Sequence, residues 1–256
     1  MPDVGSEQSP LPVAVFGAYG RMGALVCRAI EASPDLQLVA ALGRGDLRER
    51  AKPASVVVDF THPDAVMGNA TWALENGKHL VIGTTGFDEA RLSALRTWLD
   101  ATEPRLGTFV VPNFSLSALL ATRFAAMAAP YFTSVEIFDF SHEKKAEAPS
   151  GTATETARAI AQARAAAGSP PATPDLPPPE AAGALVEGVP VHSVRMQGLV
   201  FHQTVLFASG GEVLRLRFDA HDRVAYVPGV LRAVRVVGKT PGLHLGLGSL
   251  YDLGLL

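Results

Sequence analysis

A glycine-rich turn between a Val-rich segment and a helical pattern constrains the fold most. Residues 12–16 form a short apolar run, and Gly17-Ala18-Tyr19-Gly20-Arg21-Met22-Gly23 follows at once. Apolar residues then recur at helical spacing as far as Ala32. This order of strand, glycine turn and helix is the context that a dinucleotide-binding fingerprint requires, because glycines let the backbone approach a pyrophosphate. The spacing is G-x-x-G-x-x-G rather than G-x-G-x-x-G, and an ordinary strand-to-helix turn is the alternative.

The pattern continues to alternate between strand and helix. Further strands are predicted at 36–42, 55–60, 79–82 and 108–111, with helices at 63–76 and 88–99. Thr61 or Asp64 is expected to cap the first of these helices. The alternation predicts an α/β fold with a Rossmann-type, doubly wound parallel sheet. Gly83-Thr84-Thr85-Gly86 follows one strand directly, and the carboxyl ends of parallel strands line the crevice where ligands bind.

The pattern changes after residue 113. Helices are predicted at 116–129 and 153–167, and strands at 134–140, 189–196, 199–208 and 212–219. Consecutive strands joined by Ser209-Gly210-Gly211 predict a second α+β domain with a mostly antiparallel sheet. A late helix over 227–237 is expected to return to the first domain, and the proline-rich segment 169–183 to form a surface loop.

These patterns divide the chain into three parts. We expect a disordered arm over residues 1–11, a dinucleotide-binding domain over 12–113 and 224–256, and a substrate-binding domain over 114–223. The chain has 256 residues, enough for two ordinary domains.

The end of the second predicted strand bears on the choice of cofactor. A unit that binds NAD usually places Asp or Glu there to hold the ribose 2′-hydroxyl. This chain has Gly43 followed by Arg44, so an acid is absent at that place and a cation is present. The pattern favours a 2′-phosphate, hence NADPH preferred with NADH possible, although Arg44 as an ordinary loop residue is the alternative.

A charged stretch from Phe140 to Ala153 is the candidate substrate site. Ser150 or Thr152 is expected to cap the helix that follows, and Gly151 leaves its backbone bare. A helix N-terminus suits an anionic carboxylate, and His142 and Lys145 lie just upstream. We expect a substrate with two carboxylates, whereas a solvated charged turn is the alternative.

Composition excludes several classes of function. The formal net charge of −3 gives no bulk attraction to nucleic acid, and no apolar run is long enough to span a membrane. The single cysteine, Cys27, fits a reducing cytoplasm and is expected to be a buried, inert thiol. The histidines outside the charged stretch are scattered without metal-ligand spacing, so we expect no metal site and a structural role for each.

Several segments together resemble the 4-hydroxy-tetrahydrodipicolinate reductase family of bacterial lysine and diaminopimelate biosynthesis over nearly the full chain. They are the glycine turn, Val58-Asp59-Phe60-Thr61, Gly83-Thr84-Thr85-Gly86, Pro112-Asn113-Phe114, Lys145 through Ala153, Ser193-Val194-Arg195 and Arg223 to Leu231. The block Ala148-Pro149-Ser150-Gly151-Thr152-Ala153 with its upstream Lys is highly specific to this family.

The resemblance implies a role for each matching residue. Lys145 would donate a proton, His142 would bind substrate, and Ser150, Gly151 and Thr152 would cradle a carboxylate. The nicotinamide cofactor would contact Gly17, Ala18, Tyr19, Gly20, Arg21, Met22, Arg44, Gly83, Thr84, Thr85, Val111, Pro112, Asn113 and Phe114. The family is usually tetrameric through the sheet of the second domain, so a cytoplasmic homotetramer is expected.

One departure from the family pattern concerns the proton donor. The family shows two adjacent histidines, and this chain has Ser141 at the first position, where the acid or base is expected. Serine does not titrate near neutral pH, so Ser141 can at most orient a water, and His142 or Lys145 can take the role. Two alternatives to the reductase follow: another two-domain amino-acid dehydrogenase, or a catalytically impaired NADPH-binding regulatory or structural protein.

Overall fold

The computed structural model describes residues 9–101, 105–170 and 183–251. Their contacts divide the chain into two compact units, which are Met1–Phe114 with Tyr226–Leu256, and Ser115–Ala225. Each unit is described by itself below. Most of the predicted arm and residues 171–182 of the predicted proline-rich loop lie outside the described residues.

The first unit contains a six-stranded sheet whose paired strands are all parallel. Its strands are β1 (Leu11–Phe16), β2 (Leu36–Leu42), β3 (Val56–Asp59), β4 (His79–Ile82), β5 (Gly107–Val110) and β11 (Gly242–Leu245). Their order in the sheet is β11-β5-β4-β3-β1-β2. The chain adds β2 on one side of β1 and β3 on the other, so the strand order switches between β1 and β3. Such a switch point opens a crevice at the carboxyl ends of the two strands.

Four helices of the first unit pack on this sheet, and they are α1 (Arg21–Glu31), α2 (Pro63–Glu75), α3 (Glu89–Asp100) and α6 (Val227–Val236). Ala14 and Phe16 of β1 join a core cluster with residues of α2 and α3. Because side chains alternate along a strand, Val13 and Val15 point to the opposite face, where α1 and α6 contact each other. Both faces are therefore covered, as the doubly wound prediction requires.

The second unit has a five-stranded mixed sheet. Its strands are β6 (Ser134–Ser141), β7 (Ala184–Val186), β8 (Val189–Arg195), β9 (Phe201–Ser209) and β10 (Glu212–Ala220), in the order β10-β9-β6-β8-β7. The β6–β8 pair is parallel and the other pairs are antiparallel. The prediction of a second α+β domain with a mostly antiparallel sheet is confirmed.

Two helices of the second unit, α4 (Leu116–Ala128) and α5 (Gly151–Ala166), pack together on this sheet. Their small apolar residues form one core with Val135 and Ile137 of β6 and with side chains of β8 and β9. Arg164 near the end of α5 is buried, and its guanidinium donates to the carbonyl oxygens of Ala129 and Pro170. The start of the predicted proline-rich loop is thereby tied to α5.

The structure corrects several predicted details. Leu11 belongs to β1, where its N–H donates to Asp35, so the predicted arm ends before this residue. The cap of α2 is His62, whose Nδ1 accepts from the N–H of Asp64, rather than Thr61 or Asp64. The strands β7 and β11 were not predicted, because runs of three and four residues carry too little pattern.

Candidate cofactor and substrate sites

The glycine turn after β1 is shaped by close backbone contacts. Gly17 has a φ of +76°, and a Cβ there would lie 2.3 Å from the carbonyl oxygen of Phe60. A Cβ on Gly23 would lie 2.1 Å from the carbonyl oxygen of Gly17. Both positions therefore exclude a side chain, which explains the glycines by packing within the turn.

The N-terminus of α1 has the properties of an anion site. Gly20 is the cap residue and makes no side-chain hydrogen bond, and the first turn of the helix contains no acidic residue. Arg21 is exposed at the start of the helix, Met22 is half-buried, and Ala18 is buried beneath the turn. Amide groups at such a helix start suit a phosphate, both by direct donation and by the helix dipole.

The ring of Tyr19 lies over the glycine at the end of β2. A Cβ on Gly43 would be 2.5 Å from Cδ2 of Tyr19. A side chain at position 43 would therefore require this ring, which is 73% exposed, to turn away. An acid nevertheless lies close by: Asp46 accepts from the N–H of Gly43 through Oδ2 at 2.8 Å and from Arg50 through Oδ1 at 3.0 Å.

A cavity of about 410 Å³ opens at the carboxyl ends of β1, β2 and β3. It is lined by Phe16, Gly17, Leu42, Gly43, Arg44, Gly45, Asp46, Arg48, Thr61, His62, Ala65 and Asn69. Arg44, the residue predicted to select a 2′-phosphate, borders this cavity. Arg48 also borders it, from a short 3-10 helix over Arg48–Ala51, and sequence reasoning missed this second cation.

A buried carboxylate organises the floor of this cavity. Asp59, at the end of β3, accepts from the hydroxyl of Thr61 at 2.7 Å and from that of Thr84 at 2.6 Å through Oδ1. Its Oδ2 accepts from the side-chain amide of Asn69 at 2.7 Å. Asn69 in turn accepts from Nε of Arg48 at 2.9 Å. One network thus joins the strand end, the Gly-Thr loop and the second cation.

Phe60 brings the remaining predicted cofactor residues together. Its ring fills the space beside Gly83, where a Cβ would be 2.1 Å from Cε1, and its centroid lies 5.9 Å from that of Phe114. Val111 continues β5 by donating its N–H to Ile82. The predicted residues differ in exposure: Thr84, Val111 and Phe114 are buried, Asn113 is half-buried, and Thr85 and Pro112 are exposed.

A second buried carboxylate, Asp139 of β6, organises the predicted substrate loop. Its Oδ2 accepts from the N–H of Ser150 at 2.8 Å and from Nη2 of Arg195 at 2.9 Å. Nη2 of Arg195 also donates to the carbonyl oxygen of Glu147 at 2.6 Å. The loop between β6 and α5 is therefore fastened at two points to the sheet, and sequence reasoning assigned neither Asp139 nor Arg195.

The N-terminus of α5 is the predicted carboxylate cradle. Ser150 is its cap, since Oγ accepts from the N–H of Ala153 at 3.2 Å, and the first turn contains no acidic residue. Gly151 is exposed, and a Cβ there would meet no atom within 4 Å. Thr152 follows, half-buried, in the first turn. The bare backbone at Gly151 is thus open to a ligand.

The predicted acid and base residues lie in two places: His142 and Lys145 share one turn, and Ser141 is buried at the end of β6. Lys145 donates its backbone N–H to the carbonyl of His142, so a tight turn holds both, and both side chains are half-buried. The Lys145 ammonium lies 3.4 Å from Oε2 of Glu147. Ser141 is only 1% exposed, and its hydroxyl lies 3.5 Å from Oδ1 of Asp139. The hydroxyl of Ser141 is therefore buried beside Asp139 and is not exposed at the surface of the loop.

Other expectations concern metals, membranes and the single thiol. In the part of the chain that the structure describes, no group of His, Cys, Asp or Glu could hold a metal ion. None of the described helices has the length and apolar character needed to cross a membrane. Cys27 is buried, as predicted, and this burial raises the pKa of its thiol to about 11.

Comparison with known proteins assigns both halves of the chain to one family. The sequence model for the N-terminus of dihydrodipicolinate reductase matches residues 11–114, and that for the C-terminus matches residues 117–250. The chain belongs to the dihydrodipicolinate reductase family. Among relatives, the 4-hydroxy-tetrahydrodipicolinate reductase of Nocardia farcinica is 51% identical over 94% of this chain and 98% of its own, and that of Streptomyces coelicolor is 50% identical over 96% and 99%.

A solved structure of the reductase family has the same fold. The dihydrodipicolinate reductase of Paenisporosarcina sp. TG-14, solved with dipicolinate bound, is 32% identical with a TM-score of 0.79, over 94% of this chain and 100% of that chain. The diaminopimelate dehydrogenase of C. glutamicum is similar in fold alone, with 14% identity and a TM-score of 0.51 over 96% of this chain and 97% of that chain. The family resemblance read from the sequence motifs is thereby confirmed.

Proposed function

We propose that this protein reduces 4-hydroxy-tetrahydrodipicolinate to tetrahydrodipicolinate with a nicotinamide cofactor, in lysine and diaminopimelate biosynthesis. Membership of the reductase family in both halves of the chain carries the proposal. Two helix starts support it: α1 begins at Gly20 without a side-chain cap, and α5 begins at Gly151, which has no side chain. A reductase needs one anion site for its cofactor and one for its substrate.

The first unit fits a nicotinamide dinucleotide. The N–H groups of Gly17 and Gly20 are bonded within the protein, so the amides proposed for the pyrophosphate are those of the first turn of α1, which follows Gly20. The cavity beside Arg44 has room for the adenosine ribose. When bound, the reduced nicotinamide supplies the hydride that the reaction needs. The buried threonine Thr84 and the ring of Phe60 fix the Gly83 loop, so that its backbone can contact the cofactor.

The second unit supplies groups for a dicarboxylate. We propose that Gly151 and Thr152 bind one carboxylate at the start of α5 and that His142 binds the substrate from the preceding turn. Lys145 attracts the negatively charged substrate with its ammonium group and donates the proton that the reduction requires. Ser141 is retained as a candidate that acts only through the loop, because its hydroxyl is buried beside Asp139. The dipicolinate found in the Paenisporosarcina relative is a dicarboxylate of this kind.

We propose that NADPH is preferred over NADH. The support is Gly43, which carries no acid toward the ribose, together with Arg44 at the border of the cavity. Asp46 also borders the cavity, where one of its oxygens accepts from the N–H of Gly43 and the other from Arg50. A charge-assisted contact of about 1.5–3 kcal/mol gives a preference of roughly ten- to a hundredfold in affinity.

A cytoplasmic homotetramer completes the proposal. On the sheet of the second unit, α4 and α5 cover one face, and Phe138 and Phe140 project from the other. There Phe138 stacks on His192 with centroids 4.7 Å apart. An aromatic sheet face is suited to pairing with a second copy. Light scattering coupled to size exclusion measures the mass, and a monomer at micromolar concentration would remove this part of the proposal.

A coupled assay tests the activity. The substrate is made in place from pyruvate and aspartate semialdehyde by a purified synthase, and loss of NADPH absorbance is followed. Oxidation of NADPH that requires both precursors and this protein supports the reductase. Tight NADPH binding without turnover would favour the regulatory alternative. Turnover with aspartate semialdehyde alone, or with diaminopimelate and NADP⁺, would favour another amino-acid dehydrogenase.

A further inference from the structure

We propose that Arg48 is a second ligand for the 2′-phosphate of NADPH, which makes the specificity determinant a pair of arginines rather than Arg44 alone. This inference rests on the proposed cofactor site. The starting observation is that Arg44 and Arg48 both border one cavity at the carboxyl ends of β1, β2 and β3, where an adenosine ribose lies in a doubly wound fold.

The orientation of Arg48 is set by a chain of hydrogen bonds. Its Nε donates to Oδ1 of Asn69, and Nδ2 of Asn69 donates to Oδ2 of Asp59, which is buried. The bond to Asn69 uses Nε of the Arg48 guanidinium. An arginine recognises phosphate through a planar fork of donors, and a fork that is held in advance loses less side-chain entropy on binding.

The guanidinium of Arg48 lies against α2 at Gly68. Nη2 of Arg48 is 3.4 Å from the place that a Cβ on Gly68 would occupy, which is ordinary van der Waals distance. The absence of a side chain at position 68 leaves the guanidinium room beside the helix. The glycine lies one residue before Asn69, so the same stretch of α2 provides both the space and the hydrogen-bond acceptor.

The charges in the cavity favour an anion. Among the described residues, neither Arg44 nor Arg48 forms an ion pair with a carboxylate, whereas Arg50 of the same 3-10 helix pairs with Asp46 at 3.0 Å. Asp46, the acid that borders the cavity, is therefore paired with Arg50 and not with Arg44 or Arg48. Two cations without acidic partners at one cavity attract a doubly charged phosphate more strongly than a ribose hydroxyl.

The experiment is calorimetric titration with two fragments of the cofactor, 2′,5′-ADP and 5′-AMP. They differ only in the 2′-phosphate, so the ratio of their affinities isolates that group. The wild type is compared with Arg48→Ala, Arg48→Gln, Arg44→Ala and the double variant. Arg48→Gln keeps an N–H that can donate to Asn69 and removes the charge. Arg96→Ala is the matched control, because Arg96 pairs with Glu89 on α3 and does not line the cavity.

Arg48→Ala and Arg48→Gln should each weaken 2′,5′-ADP by about tenfold or more and leave 5′-AMP within about twofold. The double variant should bind the two fragments almost equally, and Arg96→Ala should behave as the wild type. Equal weakening of both fragments would overturn the inference, because Arg48 would then contact the adenine or support the loop. An unchanged ratio in both Arg48 variants would also overturn it, while leaving the cofactor site intact. A wild type that binds neither fragment would defeat the cofactor site and this inference together.

Discussion

Asp59 in the first unit and Asp139 in the second are both almost fully buried, at 1% and 0% exposure, but their charges are stabilised differently. Asp59 is held by neutral donors, chiefly two threonine hydroxyls and the Asn69 amide. Asp139 is held by the guanidinium of Arg195 and the N–H of Ser150. Each aspartate anchors a loop at which we propose ligand contacts.

The difference follows from what each loop must present. No cation among the described residues donates to Asp59 directly. Arg48 is joined to it only through Asn69, which leaves the Arg48 guanidinium without a carboxylate partner there. The loop above Asp139 carries several charges of its own, and Arg195 also holds it through the carbonyl of Glu147. A buried ion pair is costly to break by removing one partner, because the other charge stays uncompensated.

The largest effect is expected from Asp139→Ala. It removes the partner of Arg195, whose side chain is only 16% exposed, and frees the N–H of Ser150. The free energy of unfolding should fall by about 3–5 kcal/mol, the usual range for breaking a buried pair. Urea denaturation followed by circular dichroism measures the change.

Asp139→Asn is the companion variant, since it keeps one acceptor oxygen for Ser150 but removes the charge and replaces the other oxygen with an N–H₂ donor. It should fall between the wild type and Asp139→Ala. If Asp139→Ala lowers the free energy of unfolding by less than about 1 kcal/mol, this ion pair contributes no more than an exposed pair does. The contrast with Asp59 would then not hold.

A smaller effect is expected from Asp59→Asn. The new amide would retain one oxygen for Thr61 and Thr84 but would set a donor against the donor of Asn69. One unsatisfied buried group costs about 1–3 kcal/mol. Thermal denaturation of the single variant and of the double variant Asp59→Asn/Asn69→Asp tests this.

The double variant exchanges donor and acceptor between the two positions. It should recover most of the lost stability, because each polar atom again faces its complement. Asn69→Asp is measured as the second single variant. A stability loss in the double variant equal to the sum of the losses in the two single variants would show that these side chains do not act as a pair.

The smallest effect is a pH dependence confined to the first unit. Nδ1 of His79 on β4 accepts from the N–H of Gly107 at 3.0 Å, and burial lowers the pKa of this imidazole from its usual value. The folded state favours the neutral ring, so the stabilisation is complete above the unfolded pKa of about 6.5 and is lost as the pH falls toward the lower folded pKa.

Amide hydrogen exchange at pH values of about 7.5 and about 5.5, corrected for the intrinsic exchange rate, measures this loss of stability. The two pH values lie on either side of the unfolded pKa of about 6.5. Amides of β4 and β5 should lose protection at the lower pH relative to those of β6 and β9. His79→Asn retains an acceptor without the titration and should abolish the difference. Equal loss of protection in both units of the wild type would assign the effect to another group.

Sequence patterns were informative where the signal was local. The bounds of β2 and β4 are as predicted, and Ser150 caps α5, because apolar runs and cap residues act over a few neighbouring positions. The family motifs likewise indicated the glycine turn and the stretch from Lys145 to Ala153.

Interactions between distant segments could not be read in the same way. Arg48 meets Asn69 across 21 positions, and Arg195 meets Asp139 across 56. Arg48 lies in a 3-10 helix and Asn69 in α2, so their contact depends on how distant segments pack. Arg195 meets Asp139 through the pairing register of β6 and β8, which no local pattern specifies. Ser141 illustrates the same limit, because only the alternation along β6 reveals that its hydroxyl points to the buried side with Asp139.

The central claim is that the loop fastened by Asp139 presents Lys145 to the substrate, whereas the cofactor is bound by the first unit. The most direct measurement is steady-state kinetics of Lys145→Ala together with calorimetric titration of NADPH. The account predicts a fall in kcat/KM of at least about a hundredfold, the scale of a lost general acid, with unchanged NADPH affinity. Ser141→Ala should stay within about tenfold, since a buried serine is a poor acid. A Lys145→Ala variant that retains the wild-type kcat/KM would contradict the account.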